Sequence, residues 1–383
     1  MSASRRGQVE PFHVMEVVKA VAERQRTHGD AIALCVGQPG TPAPAPVLEA
    51  AARALGSHQL GYTEAAGIWE FRERIARRYT DAYRVDVDPA EIIVTTGSSG
   101  GFLLTLMAAF DAGELVAITR PGYPAYRNDI LSAGCRLLEL PVGEQTRYQP
   151  TVAMLESLPQ KPDGLVLASP SNPTGTIIDP IELAAIAAWC EANDCLLISD
   201  EIYHGISYGR PCASARQFST EAVVVGSLSK YQSMTGWRIG WLLLPPALRR
   251  AVELLQGNLA ICAPALSQVA GVAAFDEASV MELDAHVARY AANRDLLLRR
   301  LPELGITTFA PPDGAFYAYC DVSHLTEDSQ GWCEEVLAAT GVALAPGRDF
   351  DTVEGYRMVR LSFCGQTEEL EEALGRVVAY LGA

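Results

Sequence analysis

The sequence predicts an α/β protein built on a mixed, mostly parallel seven-stranded sheet flanked by helices, with a smaller α+β domain beside it. Three observations lead there. Short apolar runs alternate with helical patterns through the middle of the chain. The runs are apolar throughout rather than at every second residue, as in strands covered on both faces. After about residue 280 this rhythm gives way to a long helix, three short strands and a closing amphipathic helix.

In chain order, residues 12–28 read as a helix. "EIIVTT" (91–96) is the first buried strand, and "FLLTLMAAF" (102–110) the helix after it. "LVAITR", "CRLLEL" and "GLVLAS" are further strands. "PIELAAIAAWCEAND" (180–194) is a helix opened by proline, with Asp179 placed to cap it. "CLLISD", "AVVVGS" and "RIGWLLL" complete the seven. Only about ten residues separate the last two, too few for a helical crossover, so that pair is expected to run antiparallel. The long helix (280–300) and the strands in "GAFYAYCDV", "GVALAPG" and "YRMVRLSF" form the second unit. The expected division is a large domain at 46–279 and a small one made of 1–45 plus 280–383.

Composition narrows the function. The net charge of −16 argues against nucleic acid or an anionic membrane as partner. No apolar run approaches the roughly 18 residues of a membrane span, and no secretory signal is visible, so a cytoplasmic protein is expected. The nine cysteines include no CxxC pair and sit mostly in apolar runs, as reduced buried thiols do. The six histidines are scattered, with no HExxH, and no metal site is expected.

Four stretches carry chemistry. "TTGSSGGF" (95–102) turns from strand to helix through glycines, which suits a phosphate at a helix start. By itself it is equally a tight turn; its glycine spacing is not the dinucleotide fingerprint, and GK[ST] is missing. "SPSNPTG" (169–175) is by itself an ordinary turn. "ISDEIYHG" (198–205) places Asp200 and Glu201 at the end of an apolar strand, where a carboxylate needs donors or a cation unless it caps a helix. "SLSKYQSMTGWRIGW" (227–241) places Lys230 after a core strand, although lysine is rarely buried unpaired. These polar residues all follow strand C-terminal ends, the edge where open α/β sheets bind ligands. A phosphorylated cofactor with a ring nitrogen and an aldehyde, pyridoxal phosphate, would use all of them.

The order and spacing of these motifs resemble the class I/II aminotransferases of fold type I, the aspartate aminotransferase superfamily, over essentially the whole chain. The resemblance implies a role for each matching residue. Lys230 stands at the Schiff-base lysine, which also moves the substrate proton. Asp200 stands at the carboxylate facing the pyridinium nitrogen; Tyr203 and Asn172 stand at the partners of the ring hydroxyl. Ser98, Ser99, Ser227, Ser229 and Arg238 match the phosphate site, Arg238 with the family's spacing from Lys230. Tyr123 matches the residue stacked on the ring. Tyr62 matches a tyrosine that reaches the neighbour's phosphate, which implies a homodimer with shared sites. Arg360 matches the clamp on the substrate α-carboxylate, and Gly37 the backbone over it.

The same resemblance bears on the substrate. In the bacterial subgroup this chain resembles, dicarboxylate-specific members carry a lysine where this chain has Ser99, and small hydroxyl residues where it reads "EPFHVM". Phe12, Val14 and Met15 would give an apolar rim that does not desolvate a second carboxylate well. The expectation is therefore a ping-pong aminotransferase for neutral aliphatic donors such as alanine or valine, with pyruvate or 2-oxoglutarate as acceptor. Aspartate transamination is the alternative, with Arg24, Arg26 and Arg210 as candidate distal cations. A C–S β-lyase shares the motifs. A cofactor-binding regulator is disfavoured by the acidity and by the roughly 30 residues before "IALCVGQPG".

Overall fold

The computed structural model describes residues 4–57 and 59–382. Twelve strands follow in chain order: β1 (Ile32–Ala33), β2 (Ile92–Thr95), β3 (Leu115–Arg120), β4 (Arg136–Pro141), β5 (Gly164–Ala168), β6 (Leu196–Asp200), β7 (Val223–Ser227), β8 (Gly240–Leu243), β9 (Tyr317–Asp321), β10 (Val342–Ala343), β11 (Ala345–Pro346) and β12 (Met358–Ser362). Strands β2 to β8 form the seven-stranded sheet, in the order β2-β8-β7-β6-β5-β3-β4. β8 runs antiparallel to both its neighbours, and the other pairs are parallel, as the short β7–β8 connection requires.

Consecutive residues of the central strands feed opposite cores. Leu165, Leu197 and Val224 pack in one apolar cluster, while Val166, Ile198 and Val225 pack in another across the sheet. That two-sided burial explains the unbroken apolar runs. A third cluster gathers Phe316, Val336, Val342 and Leu361 from the C-terminal third with Leu34, Tyr203 and Tyr231. Behind it, β11, β12 and β9 form a three-stranded antiparallel sheet, and β1 pairs parallel with β10.

Five helices matter for the site: α1 (His13–His28), α2 (Ala45–Ser57), α3 (Trp69–Tyr83), α4 (Gly97–Ala109) and α5 (Pro124–Ala133). Helix α4 starts five residues earlier than the apolar run suggests, inside the glycine turn. Glycine is a poor helix former, but space decides here. A Cβ on Gly101 would come within 3.1 Å of the Leu242 side chain, so glycine favours the close approach of the helix to β8. The long C-terminal helix likewise opens earlier, at Glu277. "GVALAPG" is not one strand: it splits into β10 and β11, which serve different sheets. Asp179 caps the helix Pro180–Ala192 through the Ile181 N–H, as expected (3.0 Å). α2 and α3 stand outside the apolar runs, and α3 buries Phe71, Ile75 and Tyr79 on one face together with Arg72 and Ala76.

Candidate active site

A cavity of about 270 Å³ opens at the C-terminal edge of the large sheet. It is lined by Gly37, Ser98, Ser99, Tyr123, Asn172, Asp200, Tyr203, Ser229, Lys230, Arg238 and Arg360. Ser98, Asp200 and Lys230 share this space because they follow strands that end on the same side of the large sheet, and Gly37 and Arg360 are brought over it from outside that sheet. Ser227 and Tyr62 do not line it. Ser227 stands behind, its Oγ 2.9 Å from that of Ser229 and 3.1 Å from the Ile239 carbonyl. Tyr62 is 83% exposed, in a surface depression with Thr96 and Cys262.

The β7–β8 connection supplies Lys230. Its Nζ donates to the Gly37 carbonyl at 2.7 Å. Burial lowers its pKa to about 8, against 10.5 for an ordinary lysine. Asp200, at the end of β6, is 3% exposed. Burial pushes its carboxyl up to about 6, held back by hydrogen bonds from the Tyr126 hydroxyl and the Ile202 N–H. Glu201 faces away, taking donors from Ser199, Ser214 and the Ala215 N–H, and burial raises it to about 8. So the adjacent carboxylates have separate tasks: Asp200 opens on the cavity, and Glu201 ties down the following segment.

Arg360 projects from β12 and is 2% exposed. It is sandwiched between the rings of Tyr317 and Phe350, 4.4 and 4.6 Å from their centroids. It donates to Asn172 Oδ1 (2.8 Å) and the Cys35 carbonyl (2.5 Å), while its buried Nε has no partner among the described residues. A planar cation fixed this way is built to receive a carboxylate. Gly37 admits no side chain: a Cβ there would lie 1.9 Å from the Tyr317 hydroxyl, which is engaged with Tyr203 at 2.8 Å.

At the other end, α4 points its first turn into the cavity. Thr96 makes no side-chain cap there, and the Arg238 guanidinium lies where a Cβ on Gly97 would reach, 2.5 Å away. Uncapped N–H groups, Ser98, Ser99 and Arg238 together form an anion cradle. Tyr123 borders the space and meets Phe12 edge to face at 6.0 Å.

Several lining residues carry no motif that marks them in the sequence, among them Tyr126, Tyr317, Asp129 and the rim residue Val18. Tyr126 follows Tyr123 by one helical turn, a spacing that puts it nearby. Tyr317 lies beside Arg360's strand, two positions out of its direct register partner Tyr319. Of the candidate distal cations, none lines the cavity. Arg24 is bound to Asp30 at 2.7 Å, Arg26 to Glu23, and Arg210 to Asp179 at 3.6 Å.

The family signature "Aminotransferase class I and II" matches residues 29–377. The chain belongs to the class I and II aminotransferases. A valine–pyruvate aminotransferase of Mycobacterium tuberculosis is 55% identical over 378 residues, 98% of this chain and 97% of the relative. An aspartate aminotransferase of Thermotoga maritima is 31% identical, covering 92% of each chain. The crystal structure of an aminotransferase from Mycobacterium tuberculosis superposes with a TM-score of 0.98 at 54% identity, over 100% of this chain and 99% of that one. The architecture is that of aminotransferase fold type I, and the protein is a transaminase. Among the described residues, no helix is long and apolar enough to cross a membrane, and no His, Cys, Asp and Glu group is arranged to hold a metal.

Proposed function

We propose that this aminotransferase uses pyridoxal phosphate to move the amino group of a neutral aliphatic L-amino acid, valine above all, to pyruvate in a ping-pong cycle. The observation that carries the donor is the cavity's apolar rim: Phe12, Val14, Met15, Val18 and Val36 line it. The valine–pyruvate aminotransferase activity of the Mycobacterium tuberculosis relative supports the same pair of substrates.

The cofactor fits the residues present. The Gly97 cradle with Ser98, Ser99, Ser229 and Arg238 suits its phosphate, with Ser227 steadying Ser229. Asp200 suits its ring nitrogen, Asn172 and Tyr203 its hydroxyl, and Tyr123 its ring face. When bound, it supplies an aldehyde for the amino group and a ring that draws off electrons. The chain does the rest. Lys230, readily deprotonated, serves as nucleophile and then carries the proton at the substrate α-carbon. Arg360 clamps the α-carboxylate, with Asn172 fixing the guanidinium and the Gly37 backbone closing over it. The molecule works as a homodimer in which Tyr62 reaches the neighbour's phosphate. Residues 46–279 carry the cofactor, and 1–45 with 280–383 form the small domain bearing Arg360 and the rim. Free cysteines throughout the described chain fit the reducing cytoplasm.

A half-reaction screen tests this. The purified pyridoxal form is mixed with single amino acids, and its absorbance is followed as it converts to the pyridoxamine form. Fast conversion by valine or alanine, with aspartate slow, is expected. Fast conversion by aspartate overturns the donor reading and makes this an aspartate aminotransferase. Pyruvate release from a β-substituted amino acid, such as an S-substituted cysteine, without a keto acceptor marks a lyase instead.

A further inference from the structure

Helix α5 presents Ala125, Tyr126 and Asp129 to the cavity, a spacing that puts them on one face. The residues between them are engaged elsewhere. Arg127 pairs with Glu139 at 3.1 Å, and Asn128 donates to the Glu10 carbonyl at 3.2 Å, tying α5 to the segment that carries Phe12 and Met15. Asp129 lines the same cavity as Phe12, Val14 and Met15, and its carboxylate acts on Tyr123, which meets Phe12 edge to face. Among the described residues Asp129 has neither a hydrogen bond nor an ion pair, and the three cations lining the cavity have other tasks. Lys230 is held by Gly37, Arg360 by Asn172 and Cys35, and Arg238 lies against Gly97. The carboxylate lies close enough to Tyr123 and Tyr126 to oppose their ionisation. Burial lifts its own pKa only to about 6, so it is charged at neutral pH.

We propose that Asp129 sets the charge selectivity of the side-chain end of the cavity, turning away donors and acceptors that carry a second carboxylate. This rests on the neutral-donor reading above and adds its agent. A rim of methyl and phenyl groups fails to welcome an anion; a fixed like charge without a counter-ion rejects it. Asp129 is only half-buried, so its carboxylate keeps part of its hydration without a cationic partner. The device discriminates glutamate and 2-oxoglutarate from valine and pyruvate without any contact to the shared α-carboxylate.

The test is a charge series, wild type, Asp129→Asn and Asp129→Lys, in the cofactor-loaded enzyme. For each, the ratio of kcat/KM for glutamate to that for valine is measured. In parallel, glutarate and 3-methylbutyrate, which lack an amino group, are titrated as inhibitors. The ratio is expected to rise about tenfold at the neutral variant, some 1.4 kcal/mol, and further at the lysine. Glutarate should tighten in the same order relative to 3-methylbutyrate. An order that follows size rather than charge, or a ratio that stays put in Asp129→Asn, overturns the proposal while leaving the donor reading intact. Wild-type enzyme that already prefers glutamate sinks the donor reading, and this inference with it. Should Asp129→Lys fail to fold, the asparagine variant and the two inhibitors still decide.

Discussion

At the scale of single residues, the buried amine of Lys230 has a thermodynamic signature separate from its chemistry. Its folded pKa is about 8 and its ordinary value 10.5. The unfolded chain therefore binds more protons between those limits, and stability rises with pH across that window. Below about pH 8 the full cost of burying the charge is present. Cofactor-free Lys230→Met is expected to be more stable than wild type at pH 7 in urea unfolding, with the gap closing by pH 10.5. A constant gap would mean that the ammonium is not desolvated. Gly37 makes a steric prediction. Its missing Cβ would strike the hydroxyl of Tyr317, which is itself held by Tyr203. Gly37→Ala should keep its fold by circular dichroism yet lose about 100-fold in kcat/KM, as small displacements of reacting groups do. Adding Tyr317→Phe should return part of it.

At the scale of elements, α1 shows what sequence can and cannot say. Its apolar periodicity was legible, and so were the rim residues it carries. Its cap was not. Phe12 offers no capping side chain; instead Asp349, far along the chain, accepts from the His13 and Val14 N–H groups at 2.8 and 2.6 Å. No local pattern encodes a cap borrowed from more than 300 residues away. Asp349→Ala should cost about 1 kcal/mol in stability. It should also speed hydrogen exchange in the first turn of α1 while the central strands keep their protection. The early start of α4 escaped for a related reason, since helix propensity penalises glycines such as Gly101, which packs against Leu242 of β8. By contrast, the β7–β8 reversal followed from chain length alone.

At the scale of the whole molecule, the sheet was readable because two-sided burial writes itself as apolar runs. The site was readable wherever polar residues follow those runs, as Asp200 and Lys230 do. Tyr317 was not readable, because its place depends on how distant elements pack; Asp129 lies one turn beyond Tyr126 on α5, but no motif marks it. On the proposed dimer, the exposed Tyr62 meets its partner only across the interface. Tyr62→Phe should sediment as wild type does, yet need roughly tenfold more cofactor for half-saturation, the loss of one charge-assisted hydrogen bond. A matching cofactor affinity would leave Tyr62 without that task. The pairing of β1 with β10, together with the Asp349 cap, also imposes a timetable on synthesis. Ile32 and Ala33 leave the ribosome early, but Val342 and Ala343, their ladder partners, follow about 300 residues later. At about 5–20 residues per second that is a wait of roughly 15–60 s. For that interval the strand Ile32–Ala33 has no ladder partner and the first turn of α1 no cap, so both are exposed to mispairing until the C-terminal strands arrive.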